Sequence, residues 1–144
     1  MSLNVPPQPA VTPDTEGFWS ATADGRLELC WCGACERFQH PPLERCRACA
    51  GKTEFREVSG DGVLYSYIVV HRAVAPGYLD RPGHLIGLVE LVEQEGFRLP
   101  TQLPDLDVQT VRIGMPLKAD LVPLPGGGFS VPVFRPVESG AEHD

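Results

Sequence analysis

The stretch CWCGACERFQHPPLERCRAC, residues 30–49, holds all five cysteines of a 144-residue chain. Cys32 and Cys35 form one C-x2-C pair and Cys46 and Cys49 a second, with ten residues between the pairs. Each pair sits on a tight turn able to aim two sulfurs at one centre. Two such turns on opposite arms of a hairpin complete a tetrahedron of thiolates around Zn2+. Pro41 and Pro42 suit an extended excursion between the arms. Disulfides would need an oxidising compartment that nothing else indicates, and a redox C-x2-C belongs in a βαβ setting that this sequence lacks. The expectation is one metal per chain on Cys32, Cys35, Cys46 and Cys49. Four thiolates can also hold iron, and ligand type alone does not separate the two metals. A site closed by four sulfurs leaves no open coordination position for activating water, so the metal is read as structural. Cys30, left over, is read as a small buried apolar residue, with a spare-ligand role as the alternative. His40 is superfluous to a site that four sulfurs already close.

Outward from the cysteines, 12 Lys+Arg stand against 19 Asp+Glu, a net charge of -7. Such a field repels phosphate polyanions. Within residues 30–52 Arg37, Arg45, Arg47 and Lys52 outnumber Glu36 and Glu44, but that excess is cancelled by the double negative charge of Zn2+ with four thiolates. No basic patch of the kind a nucleic-acid reader presents results. The N-terminus MSLNVPPQPAVTPDTEG has neither a basic start nor an apolar signal-like run, and no stretch is long enough to span a bilayer. The expectation is a soluble cytoplasmic protein with no membrane partner.

Fifteen Pro and fifteen Gly favour short strands and turns over long helices. One helix is expected in TPDTEGFWSATADG, with Thr12 as cap, Pro13 in the first turn, Asp14 and Glu16 on the dipole, and Gly25 at its end. Phe18, Trp19, Thr22 and Ala23 would share a face. GVLYSYIVVHR reads as a central strand with Tyr65, Tyr67 and His71 on one side. HLIGLVELV is another, and Gly87 inside it signals a bulge or bend. GFRLPTQL pairs with it across EQEG, and MPLKADLVPL with GFSVPVFRPV forms a last hairpin across Gly126, Gly127 and Gly128. Five such strands make a small antiparallel barrel, for which the five-stranded Greek key is one solution.

In this order, FWSATADGRL, the two C-x2-C pairs flanking PP, VSGDGVLYSYIVVHR, GLVEL, RIGMPLKADL and PVFRPV resemble the DUF35 family over about residues 12–137. The extra Cys30 and a longer VEQEG turn depart from its pattern. The resemblance implies a mainly β protein with an N-terminal helix (12–25), a rubredoxin-like zinc ribbon (26–53) and a five-stranded OB-fold (54–137); residues 1–11, with three prolines and no periodic apolar pattern, and residues 138–144 are read from their composition as a flexible lead-in and tail. It also implies a free-standing auxiliary subunit of a thiolase-fold or lipid-transfer-type enzyme, including the retro-aldolases that shorten steroid side chains. Such a subunit aids assembly and helps form or cover the acyl-CoA path, while catalysis takes place on the partner.

The residues agree with a non-catalytic chain. There is no G-x-S-x-G elbow and no H-E-x-x-H, and PGGGF lacks the Lys-Ser/Thr of a phosphate loop. Tyr65, Tyr67, His71 and Arg72 are the candidate ligand contacts, although Tyr and His at a barrel strand's end are commonly core-edge residues. Phe18 and Trp19 are candidate partner anchors. Two other functions fit the same parts: a nucleic-acid module, since ribbons and OB-folds both serve in that class, and an iron-loaded electron carrier.

Overall fold

Cys30 lies at the middle of β1 (Glu28–Cys32), the central strand of a three-stranded antiparallel sheet, in a computed structural model that describes residues 5–71 and 84–137. β2 (Arg37–Phe38) flanks β1 on one side and β3 (Glu54–Glu57) on the other. Cys30 pairs with Phe55 and Leu29 with Arg56, so the ribbon sheet runs past the expected boundary at residue 53.

The barrel has the five expected strands: β4 (Asp61–Val70), β5 (His84–Leu91), β6 (Arg98–Gln102), β7 (Pro116–Pro123) and β8 (Ser130–Pro136). They pair antiparallel in the order β6-β5-β4-β7-β8. The sheet curls until its edge strands meet, where the Thr101 hydroxyl donates to the Pro132 carbonyl at 3.3 Å. The barrel is therefore nearly closed without a ladder at that seam.

Two expectations about β4 and β5 change. Gly87 is not bulged and pairs with Tyr67 in regular register. It faces inward, where a Cβ would come within 2.7 Å of Leu103 Cδ1 and 3.0 Å of Leu64 Cδ1. Only a glycine leaves room there for both leucines. The bulge lies instead at Tyr65, between the Leu64–Val89 and Ser66–Leu88 pairs. One extra residue reverses the in-out alternation. Gly62 and Leu64 face the core before the bulge, whereas Tyr67 and Val69 pack against it after the bulge.

The helix, α1 (Glu16–Ala23), begins later than expected. Residues 12–15 form a turn closed by the Thr15 and Glu16 amides on the Thr12 carbonyl, and Thr15 is the N-cap. Asp14 accepts a bond from the Glu44 amide at 2.8 Å, which ties the turn to the ribbon. At the other end Gly25, at φ +82°, ends the helix as expected. Its N–H bonds the Thr22 carbonyl and that of Arg26 the Ala21 carbonyl, a Schellman closure. Ala21 and Thr22 are the buried positions, and Ala23 is exposed.

One apolar core joins ribbon and barrel. It includes Leu27, Leu29 and Phe38 from the ribbon side and Leu64, Val89, Phe97 and Phe134 from the barrel. Phe38 stacks on Phe97 with ring centroids 5.1 Å apart. The EQEG turn adds a polar latch: Gln94 accepts from the Phe38 amide at 2.7 Å and donates to the Phe38 carbonyl at 3.1 Å. The longer turn thus supplies a side chain that takes the place of a neighbouring strand for β2.

Candidate metal centre and groove

The two C-x2-C pairs converge. Each pair lies in a small hairpin whose turn contains one non-glycine residue at positive φ, Glu36 at 55° and Ala50 at 64°. The first links β1 to β2; the second is closed by the Arg45–Lys52 bridge and by the bond from the Cys46 amide to the Gly51 carbonyl at 2.8 Å. Backbone amides point at the sulfurs: Cys35 N–H at Cys32 Sγ (3.4 Å), Ala48 N–H at Cys46 Sγ (3.3 Å) and Gly51 N–H at Cys49 Sγ (3.3 Å). Such bonds stabilise thiolates.

All four sulfurs lie within 4.8 Å of one another. Cys32 and Cys49 are 3.6 Å apart and Cys35 and Cys46 are 3.9 Å apart. Tetrahedral Zn–S bonds of about 2.3 Å place their sulfurs about 3.8 Å from each other, so the cluster fits the ion. The amides of Cys49 and Ala48 lower the Cys46 thiol to about 7, while the crowding sulfurs of Cys49, Cys32 and Cys46 push Cys35 up to about 12. A cation removes that competition for protons. The four cysteines are positioned to hold one metal ion, and this is the only such cluster among the described residues. Cys30 is not part of it; its thiol donates to the Leu43 carbonyl at 3.5 Å.

The two candidate tyrosines lie on opposite faces of β4. Tyr65 is half exposed on the outer face, with the Arg98 guanidinium 3.6 Å above its ring and Arg98 paired to Glu90 at 3.0 Å. Tyr67 packs on the core, and His71 is exposed at the strand's end. Arg72 lies outside the described residues. Because of the bulge, Tyr65 and Tyr67 do not share the face expected of them. Phe18 and Trp19 are half-buried: Phe18 packs against the core, its ring edge-on to Trp19 at 4.8 Å, and Trp19 meets Phe129 at 5.3 Å.

A feature missed in the sequence lies beside this helix. A groove of about 670 Å3 runs between α1, the ribbon and the barrel seam, lined by Phe18, Trp19, Phe55, Leu99, Val131 and Val133 among others. Its walls come from distant parts of the chain, and no local pattern marks them.

Ribbon, helix and barrel together define a class, the zinc-ribbon OB-fold proteins. Residues 19–56 match the family described as "ChsH2, rubredoxin-like zinc ribbon domain", and residues 55–122 that described as "ChsH2, C-terminal OB-fold domain". A "DUF35 domain-containing scaffold protein" of Methanocaldococcus jannaschii is 38% identical over 91 residues, 61% of this chain. A "Probable enoyl-CoA hydratase alpha subunit" of Thermomonospora curvata is 35% identical over 131 residues, 90% of this chain. The chain spans 62% and 40% of the lengths of those two relatives. A solved structure described as "Ltp2-ChsH2(DUF35) aldolase" superposes with a TM-score of 0.78 at 35% identity, covering 90% of this chain and 98% of that one. A DUF35 structure of unknown function from Sulfolobus solfataricus shares the fold, with a TM-score of 0.59 at 19% identity, over 88% of this chain and 87% of that one.

The chain belongs to the DUF35 family. Its metal is accordingly the zinc of a rubredoxin-like ribbon, one per chain. Among the described residues, no helix is long and apolar enough to cross a membrane.

Proposed function

We propose that this protein is a non-catalytic, zinc-stapled OB-fold subunit of a thiolase-fold enzyme acting on acyl-CoA substrates, of the thiolase or steroid side-chain retro-aldolase type. The observation that carries this reading is the superposition on nearly the whole chain in the structure described as an Ltp2-ChsH2(DUF35) aldolase. The scaffold name of the archaeal relative supports an assembly role. The hydratase name belongs to a protein of which this chain spans 40%, so that activity can reside in the remainder. The metal cluster offers structure and no open ligand position.

The exposed tyrosine does not favour the nucleic-acid alternative. One face of the Tyr65 ring is covered by Arg98, whose charge is engaged by Glu90.

The test is co-purification of the tagged chain from its native extract at moderate salt. The expected result is a thiolase-fold enzyme in near-equal amount; nucleic acid or its handling proteins in its place would overturn the proposal. Phe18 and Trp19 are proposed partner-side anchors on α1. Since both also pack within this chain, their joint replacement by alanine needs a folding control: weaker association at unchanged zinc content supports the role, and unchanged affinity removes it.

A further inference from the structure

The turn PGGGF, residues 125–129, is no phosphate loop, yet its three glycines have a physical reason. Gly126 and Gly128 stand at φ +102° and +81°, a backbone region that residues with a Cβ rarely enter. Gly127 carries no such requirement. A Cβ there would collide with the side chain of Gln8, and one at Gly126 with that of Val5. The glycines make a flat seat for the chain's own N-terminal segment.

That segment is fastened at two points. Pro6 is buried, and the side-chain amide of Gln8 donates to the carbonyls of Pro6 and Pro125, each at 2.9 Å. The first bond shapes the segment and the second ties it to the turn. Residues 125–128 are all exposed, so no burial of their own orders this glycine-rich stretch. The turn in turn supports a ring. Leu124 N–H bonds the Phe129 carbonyl at 2.7 Å and closes the turn, and Phe129 meets Trp19 of α1 edge-on at 5.3 Å. Pro6, Pro125 and Trp19 accordingly line one groove.

We propose that residues 5–9 are a strap that presets Trp19: seated on the glycine turn, the strap orders the turn, and the ordered turn holds Phe129 against the indole. Release of the strap frees the turn and lets the indole move. A preset side chain loses less freedom when a partner buries it. That consequence rests on the anchor role proposed above for Trp19, whereas the coupling itself is internal to this chain.

The test uses the zinc-loaded Trp31→Phe protein, which keeps an aromatic ring beside Phe38 and leaves Trp19 as the sole tryptophan. In this background Gln8→Ala removes the bond to the turn from an exposed position, and Pro6→Asp sets a carboxylate at the buried one. Both are expected to raise acrylamide quenching of Trp19, to shift its emission to the red and to speed amide exchange in residues 126–129, at unchanged zinc content. For the bond to Pro125 lost in Gln8→Ala, exchange is expected to be about two- to tenfold faster. Phe129→Ala is expected to raise quenching by itself and to abolish any further effect of Gln8→Ala, because the route is then already cut. Unchanged exchange in both strap variants would show that the strap does not hold the turn. Faster exchange with unchanged quenching, or a Gln8→Ala effect that persists in full in Phe129→Ala, would show that Trp19 is not preset through Phe129. Either result overturns the proposal. Because no partner enzyme takes part, failure here is separable from failure to capture one.

Discussion

At the scale of single residues, Cys30 and Cys46 are chemically alike and structurally opposite. Both are buried. The thiol of Cys46 receives the Ala48 amide and sits 3.9 Å from Cys35 Sγ, whereas that of Cys30 points at a carbonyl oxygen. A donor in thiol form facing an acceptor needs no metal, and a sulfur receiving amide donors is prepared to be an anion. Cys46→Ser is therefore expected to reduce bound zinc from one equivalent to near none and to unfold the ribbon; Cys30→Ser is expected to retain the full equivalent. Metal analysis of the two purified variants checks this, and a full equivalent in Cys46→Ser would show the ligand set to be wrong.

At the scale of elements, one side chain of the β5–β6 turn hydrogen-bonds β2 to the barrel beside the Phe38–Phe97 stack. β2 pairs with β1 on one edge, and Gln94 satisfies the Phe38 amide and carbonyl on the other. Gln94→Ala leaves these groups unpaired beside a buried aromatic, and a loss of about 1–3 kcal/mol is expected. Gln94→Glu, which retains an acceptor for the amide but places a carboxylate against the carbonyl, is expected to recover only part of it. Urea unfolding midpoints of the three proteins decide the matter, with an unchanged midpoint for Gln94→Ala counting against the latch. The ribbon's two turns and all five barrel strands were legible in the sequence because C-x2-C spacing and β-branched runs are local signals. The start of α1 was misplaced because the Thr12–Thr15 turn uses the same cap residues as a helix N-terminus. The face assignment of Tyr67 failed for a different reason. A bulge at a tyrosine carries no local mark, while Gly87, which does carry one, is required by the contact between Leu64 and Leu103 across the barrel. The groove was illegible because its walls meet only after the barrel closes.

At the scale of the whole molecule, the metal-binding ribbon and the barrel share one packed core. Cys32 ends β1, whose Leu29 belongs to the same buried cluster as Val89 and Phe134 of the barrel. Phe38 stacks on Phe97, and Asp14 and Gln94 bond the ribbon backbone from the N-terminal turn and the β5–β6 turn. Zinc binding in a ribbon is folding free energy, and this packing transmits it beyond the cysteines. Removal of the metal by a chelator is expected to shift one cooperative thermal transition to lower temperature instead of splitting off a separate ribbon transition. Acid should act in the same direction. Thiolates are the binding form, so the metal's contribution is present at neutral pH and lost as protons displace it. The amides of Cys49 and Ala48 lower the Cys46 thiol to about 7, which favours the ionised ligand, so zinc release is expected on the acid side of neutrality. Calorimetry of the zinc-loaded and chelated proteins, with a zinc-release titration toward acid, tests both points. Two resolved transitions would show that ribbon and barrel fold independently, and release above neutrality would show that the sulfurs do not hold the ion as a set.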